Sequence, residues 1–317
     1  MPDARLWQNP PMAVLYPNRG CFALLIALTF FLSAAARAQG LVAQLGEKGR
    51  IGEEDLAQYS ASESCYGPEA VSSRKAGFMT FLESEIMEEV LRRESGPRLK
   101  DEDYAAEVRR VDKESRAPDI LACIKKSFGS KDGIGFPSSL ERRRYERVFL
   151  RKHMIPAAFY RFLRYDPKVQ AQAYALRDNV FQEAVNGASF ADLASRYKVE
   201  YATKAYREEE PKADGKAGMP MAWTPFEKKF IDENLRELSP GKVLGRVIEG
   251  SEDLRIVRLL DAREGRYEFE WLIIRKRGVQ DYFSSVPKIK TVIHDPGLRD
   301  WISGISGNPL LKVLSIR

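Results

Sequence analysis

Residues 166–205, DPKVQAQAYALRDNVFQEAVNGASFADLASRYKVEYATKA, decide the fold because they predict a capped helix, a second helix and a strand in direct succession. Asp166-Pro167 supplies residues that favour a helix start, and Asn186-Gly187 supplies residues that favour a helix end. Between them lies an apolar stripe made of Val169, Ala173, Leu176, Val180 and Ala184. Its spacing of three or four residues predicts an amphipathic helix.

Helices and a strand continue after this first helix. Apolar spacing over residues 190–197 predicts a second, short helix, and the alternation over residues 199–205 predicts a strand. Farther on, Thr224 with Pro225 and Glu227 forms a capping box, which predicts the start of a third helix.

Two more strands are predicted to close this domain. They cover residues 243–249 and 254–260, and the polar residues 250–253 between them favour a tight hairpin turn. We therefore expect residues 166–265 to form an α+β domain, in which a small antiparallel sheet is flanked by helices.

The chain ahead of this domain is predicted to be helical. Apolar residues at helical spacing indicate four helices within residues 71–165, and Pro156 is expected to kink or end the last of them. Residues 39–70 show no sustained period, so we expect a flexible leader that contributes little to the fold. Residues 266–317 contain a strand candidate at 267–275 and are expected to be an extension that packs on the rest.

The first 38 residues are predicted to be a signal peptide. An apolar run from Cys21 to Ala36 follows Arg19 and precedes a small-x-small cleavage pattern that ends at Ala38. The alternative is an uncleaved membrane anchor, but the run is shorter than the roughly 20 apolar residues that span a bilayer. We therefore expect a periplasmic or exported protein without stable membrane insertion after cleavage. Translation starts at Met1 or at Met12.

Composition excludes several classes of function. The chain has 51 basic and 45 acidic residues, and this excess is too small and too dispersed to indicate nucleic-acid binding. No glycine-rich phosphate loop is present, so no nucleotide cofactor is expected. The two histidines, His153 and His294, lie far apart and predict no metal site. Cys65 and Cys123 remain after signal cleavage, and they form either a disulfide or two buried thiols.

The order of motifs after residue 166 resembles that of a parvulin-type prolyl isomerase domain. The segments that carry the resemblance are EAVNGASFADLASRY (183–197), DGKAGMPMAW (214–223), FEKKFIDENLRELSPGKVLGRV (226–247) and LRIVRLLDAREG (254–265). The helical region ahead of them, with YERVFLRKHMI (145–155), is similar to the amino-terminal chaperone domain of SurA-like periplasmic foldases. This resemblance covers roughly residues 70–265.

The resemblance implies isomerisation of X-Pro bonds, but the family's catalytic pattern is incomplete in this chain. Family members use two histidines, a cysteine or aspartate, and an apolar pocket. The first strand, which bears one histidine and is expected just before Asp166, is not recognisable. The closing strand reads Leu254-Arg255-Ile256 where Tyr-His-Ile is usual, so Arg255 stands at the second histidine and is the one catalytic candidate.

The apolar part of such a groove is retained. The resemblance gives five substrate-binding candidates: Met219, Met221, Trp223, Phe226 and Phe230. Methionine suits adaptable peptide binding because its side chain is flexible and polarizable. The spacing of Phe226 and Phe230 is equally typical of the buried face of a capped helix, and that alternative stays open.

Three functions follow as expectations. The first is a periplasmic folding factor or chaperone that binds unfolded or extended apolar segments of envelope proteins, with weak or no isomerase activity. The second is an active prolyl isomerase in which Arg255 polarises the amide carbonyl. The third is a structural partner in an envelope or export assembly, in which the tail from Tyr267 pairs with a partner or completes the sheet of its own chain.

Overall fold

The computed structural model describes residues 40–67, 73–114, 117–207, 225–263 and 265–317. The predicted signal peptide lies outside these residues. In chain order the elements are β1 Leu41–Leu45, β2 Gly49–Gly52, α1 Glu53–Glu63, α2 Arg74–Arg93, α3 Asp101–Glu114, α4 Pro118–Ser127, α5 Ser139–Tyr145, α6 Arg151–Tyr165, α7 Ala171–Val185, α8 Phe190–Tyr197, β3 Glu200–Arg207, α9 Pro225–Asn234, β4 Ile248–Glu249, β5 Asp253–Arg263, β6 Arg266–Arg275, α10 Val279–Ser285, β7 Ile289–Ile293, α11 Pro296–Ser303 and β8 Leu314–Ile316. The protein is thus α+β, as expected.

The strands form two separate four-stranded sheets. The first has the order β2-β1-β7-β8, with antiparallel pairs except for the parallel pair β7-β8. The second has the order β3-β6-β5-β4 and is antiparallel throughout. The first sheet packs with α1 to α6 around one core, while α7, α8 and α9 pack on the two faces of the second sheet.

The prediction of a flexible leader was wrong. Residues 41–63 form β1, β2 and α1, and Leu45 and Ile51 are completely buried in the first core. The strand β1 is too short to show a clear period. Its inner neighbour β7 is near the other end of the chain, and Ala43 stands opposite Ile293. Because this pairing is non-local, no local pattern indicates it.

The helical region agrees with the sequence prediction except at Pro156. Residues 146–150 form one wide π-type turn between α5 and α6, and α6 then continues through Pro156 to Tyr165. Proline within a helix removes one backbone hydrogen bond. Burial of Phe159 and Phe162 on the same helix offsets that loss.

The second sheet takes its inner strand from the predicted extension. Strand β6 pairs with β3 on one side and with β5 on the other over almost its whole length. The domain boundary expected at residue 265 was therefore wrong, since this unit covers residues 166–275. The tail completes the sheet within its own chain and does not leave β6 for a partner protein.

The rest of the tail returns to the first unit. Residues 276–317 contribute β7, β8, α10 and α11, and their side chains Phe283, Ile289 and Leu298 are buried in the first core. The second unit is thus inserted between residue 165 and residue 276 of the first. Local sequence patterns do not reveal this insertion, because the two parts of the first unit are joined by pairing between β1 and β7, which lie near opposite ends of the chain.

Two buried polar side chains connect the two chain segments that pass from one unit to the other. Gln170 donates from Nε2 to the carbonyl of Leu163 at 2.6 Å, and its Oε1 accepts from the backbone N–H of Arg277 at 2.8 Å. Lys276 donates from Nζ to the carbonyl of Arg164 at 2.9 Å and to Glu249 at 2.6 Å. Each crossing segment is therefore bonded to the other.

A disulfide ties together two helices of the first unit. The structure joins Cys65, just after α1, to Cys123 on α4, with the two Cα atoms 5.8 Å apart. Of the two alternatives that the sequence left open, the structure has the disulfide.

Candidate functional site

The predicted groove residues fall into three groups. Met219, Met221 and Trp223 lie outside the described residues. Phe226 is within α9, but its side chain is not among the described ones. Phe230 is 6% exposed and packs its ring 5.4 Å from that of Phe269. Phe230 therefore belongs to the core between α9 and the sheet, and its proposed role in lining an open groove was wrong.

Arg255 lies on the face of the second sheet that α9 covers. Its guanidinium carbon is 4.8 Å from the centre of the Trp271 ring, and its side chain is 28% exposed. Nε and Nη2 donate to the two carboxylate oxygens of Asp253, each at 3.0 Å. A forked pair of this kind fixes the plane of the guanidinium, and the aromatic ring supports it from one side.

A row of alternating charges extends from Arg255 across the sheet. Asp253 is buried, and its second cationic neighbour is Arg275 on β6, at 3.9 Å. Arg275 in turn donates to both carboxylate oxygens of Glu200 on β3, each at 2.9 Å. These hydrogen bonds lower the pKa of Glu200. Three strands thus carry two cations and two anions, and every charge has a partner.

Trp271 is the site residue that the sequence analysis missed. It is 8% exposed, and its indole Nε1 is buried without a hydrogen-bond partner. An unpaired buried donor costs roughly 1–3 kcal/mol, which is unusual in a native protein. No local pattern marks this tryptophan, because its place near Arg255 follows from the pairing of β6 with β5: Trp271 stands opposite Val257, two residues from Arg255 on the same face. The pair is visible only once β6 is placed beside β5.

A cleft between the two units adjoins this row at Arg275. It has a volume of about 600 Å³, and its lining includes Lys168, Ala173, Arg275 and Arg277. Binding clefts for small ligands and short peptide segments have volumes of this order. Arg275 therefore belongs both to the charge row and to the wall of the cleft.

The described residues offer little acid-base or metal chemistry at this site. His153 lies on α6 in the first unit, where its ring is 5.7 Å from Phe149, and burial lowers its pKa. Among the described residues, no cluster of three or more His, Cys, Asp or Glu side chains is arranged to hold a metal ion. No helix in that part of the chain is long and apolar enough to cross a membrane.

Comparisons of the chain with protein-family models, with curated proteins and with solved structures found no match.

Proposed function

We propose that this protein is an exported folding factor that binds extended polypeptide segments and has weak or no prolyl isomerase activity. The observation that carries the proposal is the pair formed by Arg255 and Trp271. Arg255 stands where the parvulin pattern has its second histidine, and its charge is already neutralised by Asp253. In the parvulin family the other histidine lies on the first strand. In this chain the strand beside Arg255 is β6, and the side chain that β6 places next to Arg255 is the indole of Trp271.

The chemistry of this pair suits binding better than catalysis. Asp253 occupies Nε and Nη2 of Arg255, and the rest of this partly exposed guanidinium can donate to a peptide carbonyl, while the buried Trp271 ring supports it from one side. Neither group exchanges a proton near neutral pH. The barrier to rotation about a peptide bond is about 18–20 kcal/mol, so a site that only binds the amide leaves most of it in place.

Export supports the same proposal. The predicted signal peptide would deliver the chain to an oxidising compartment, and disulfides such as Cys65–Cys123 form and persist there. Clients in that compartment would be envelope proteins that arrive unfolded. The junction cleft next to Arg275 would hold part of an extended client chain.

The test combines a binding assay with an isomerase assay. Arg255→Lys keeps a positive charge beside Asp253 but removes the planar fork and its stacking on Trp271. We expect the affinity for a fluorescently labelled, permanently unfolded client to fall about 5- to 30-fold, which corresponds to about 1–2 kcal/mol. Acceleration of prolyl isomerisation in a proline tetrapeptide should stay below about 100-fold, since no histidine lies beside Arg255 among the described residues.

Arg263→Lys is the matched control, because Arg263 lies on the same strand and its side chain is 83% exposed. Its client affinity should equal that of the wild type. Unchanged affinity in Arg255→Lys would contradict the proposed site. Robust turnover that Arg255→Lys abolishes would instead favour the second candidate, an active isomerase in which Arg255 polarises the amide carbonyl.

A further inference from the structure

Among the four outer strands of the two described sheets, β3 is much longer than the other three. Strand β2 has four residues, β4 has two and β8 has three, whereas β3 has eight. Along these eight residues β3 pairs with β6 without any shift in register. Among the described residues no strand lies on the outer side of β3.

Within the described part of the chain, the outer side of β3 is accessible and lacks three of the usual protections of a sheet edge. Natural proteins protect edge strands by shortness, proline, a bulge or charged side chains such as lysine, and β3, with the sequence EYATKAYR, has none of the first three but carries Lys204. Five of its residues are exposed: Glu200, Tyr201, Thr203, Lys204 and Ala205. The strand therefore presents a long, regular row of backbone donors and acceptors, which is a template for another strand.

We infer that β3 pairs antiparallel with β3 of a second copy of this chain, about a two-fold axis at Ala202. A two-fold axis normal to the sheet keeps each face of the sheet on its own side, so residues that stand opposite each other in the two copies have side chains on the same face. Because side chains alternate faces along a strand, the residue numbers of two such opposing residues differ by an even number. Centring on Ala202 places Glu200 opposite Lys204 of the other copy, and Tyr201 opposite Thr203. Symmetry repeats each pair.

The charges favour this register over its neighbours. Opposite charges and aromatic-β-branched pairs that face each other across two strands are stabilising, and like charges are destabilising. Centring on Lys204 would place Lys204 opposite itself. Centring on Thr203 would leave Lys204 opposite Ala202 and Glu200 opposite Tyr206. The Ala202 register is the one of the three that joins Glu200 to Lys204.

The Glu200 carboxylate is already oriented for this contact. Arg275 already holds its carboxylate through two hydrogen bonds, and the Glu200 side chain remains 52% exposed. A carboxylate has about four acceptor sites, so it can also accept from Lys204 of the second copy. The dimer would contain one continuous eight-stranded sheet. Its interface is small, and small interfaces of this kind are weak and transient, so we expect dissociation in the micromolar range.

A charge-exchange series tests the inference on the full mature chain with its disulfide intact. Sedimentation equilibrium from about 1 to 200 µM covers the micromolar dissociation constants at issue. Lys204→Glu should weaken dimerisation at least about tenfold, since it places Glu opposite Glu twice. The double variant Glu200→Lys with Lys204→Glu returns the opposite charges across the interface but loses the pair between Glu200 and Arg275, so it should dimerise more tightly than Lys204→Glu alone without reaching the wild-type constant. Lys229→Glu on the exposed side of α9 is the matched control and should change nothing.

Several results would overturn the inference. A wild-type chain that stays monomeric throughout would refute it. So would a dimer that Lys204→Glu leaves intact, or a double variant that circular dichroism shows to be folded but that dimerises no more tightly than Lys204→Glu alone. Slow amide exchange along the outer side of β3 in a monomer would show that the chain covers its own edge. If slow amide exchange along the outer side of β3 appeared only when an unfolded client was added, the edge would bind clients and not a second copy of the chain.

Discussion

A chain that ends at Gly265 is expected to lose its fold. This truncation removes β6, the inner strand between β3 and β5, and with it Phe269 and Leu272, which are completely buried on opposite faces of the sheet. It also removes β7, the inner strand that joins β1 to β8. Both cores lose their central element, so we expect an insoluble product, or a soluble one without a cooperative thermal transition by circular dichroism.

Point variants separate the loss of β6 from the loss of the whole tail. Leu272→Ala should lower the free energy of unfolding by about 2–5 kcal/mol, since it opens a cavity among buried side chains. Leu260→Ala removes the same atoms from a side chain that is 42% exposed and should cost less than about 1 kcal/mol. A soluble chain ending at Gly265 with the wild-type melting temperature would show that β6 is not the inner strand.

Removal of the disulfide is expected to have the second-largest effect. Cys65 and Cys123 are 58 residues apart in sequence, and a cross-link over a loop of this length stabilises by about 4 kcal/mol, mainly by restricting the unfolded chain. The double variant Cys65→Ser with Cys123→Ser should therefore melt about 10 °C lower or more.

Dithiothreitol supplies the control for this prediction. It should lower the melting temperature of the wild type toward that of the double variant and leave the double variant unchanged. If thiol titration of the denatured, unreduced protein found two free thiols, the bond would be absent and the prediction would fail.

Local patterns predicted the elements whose information is local. The helix Ala171–Val185 has an apolar stripe and a glycine stop within its own sequence, and the strand Arg266–Arg275 has alternation, and both are present. The helix starts at Ala171, with Gln170 at its N-cap, so the start predicted at Asp166-Pro167 was wrong. Pairing between distant segments leaves no such pattern in the sequence of either segment. The strand Leu41–Leu45 was taken for a flexible leader because its neighbour Ile289–Ile293 lies near the other end of the chain.

The candidate site was predictable to a lesser degree, for the same reason. Arg255 was found because its position in the closing strand is defined by adjacent residues. Trp271 was missed because its meaning depends on the register between β5 and β6. Phe230 was ambiguous, since a buried helix face and a groove wall require the same spacing, and only packing against Phe269 decides between them.

Residues 166–275 form one unit inserted into the helical unit, with β6 as its inner strand. The direct test is the amide proton-nitrogen spectrum of residues 166–275 expressed alone, beside that of residues 166–265. The longer chain should give dispersed signals and unfold cooperatively, with slow amide exchange along β6. The shorter chain should give the narrow dispersion of an unfolded protein. Narrow dispersion for both, or equal dispersion for both, would contradict the account.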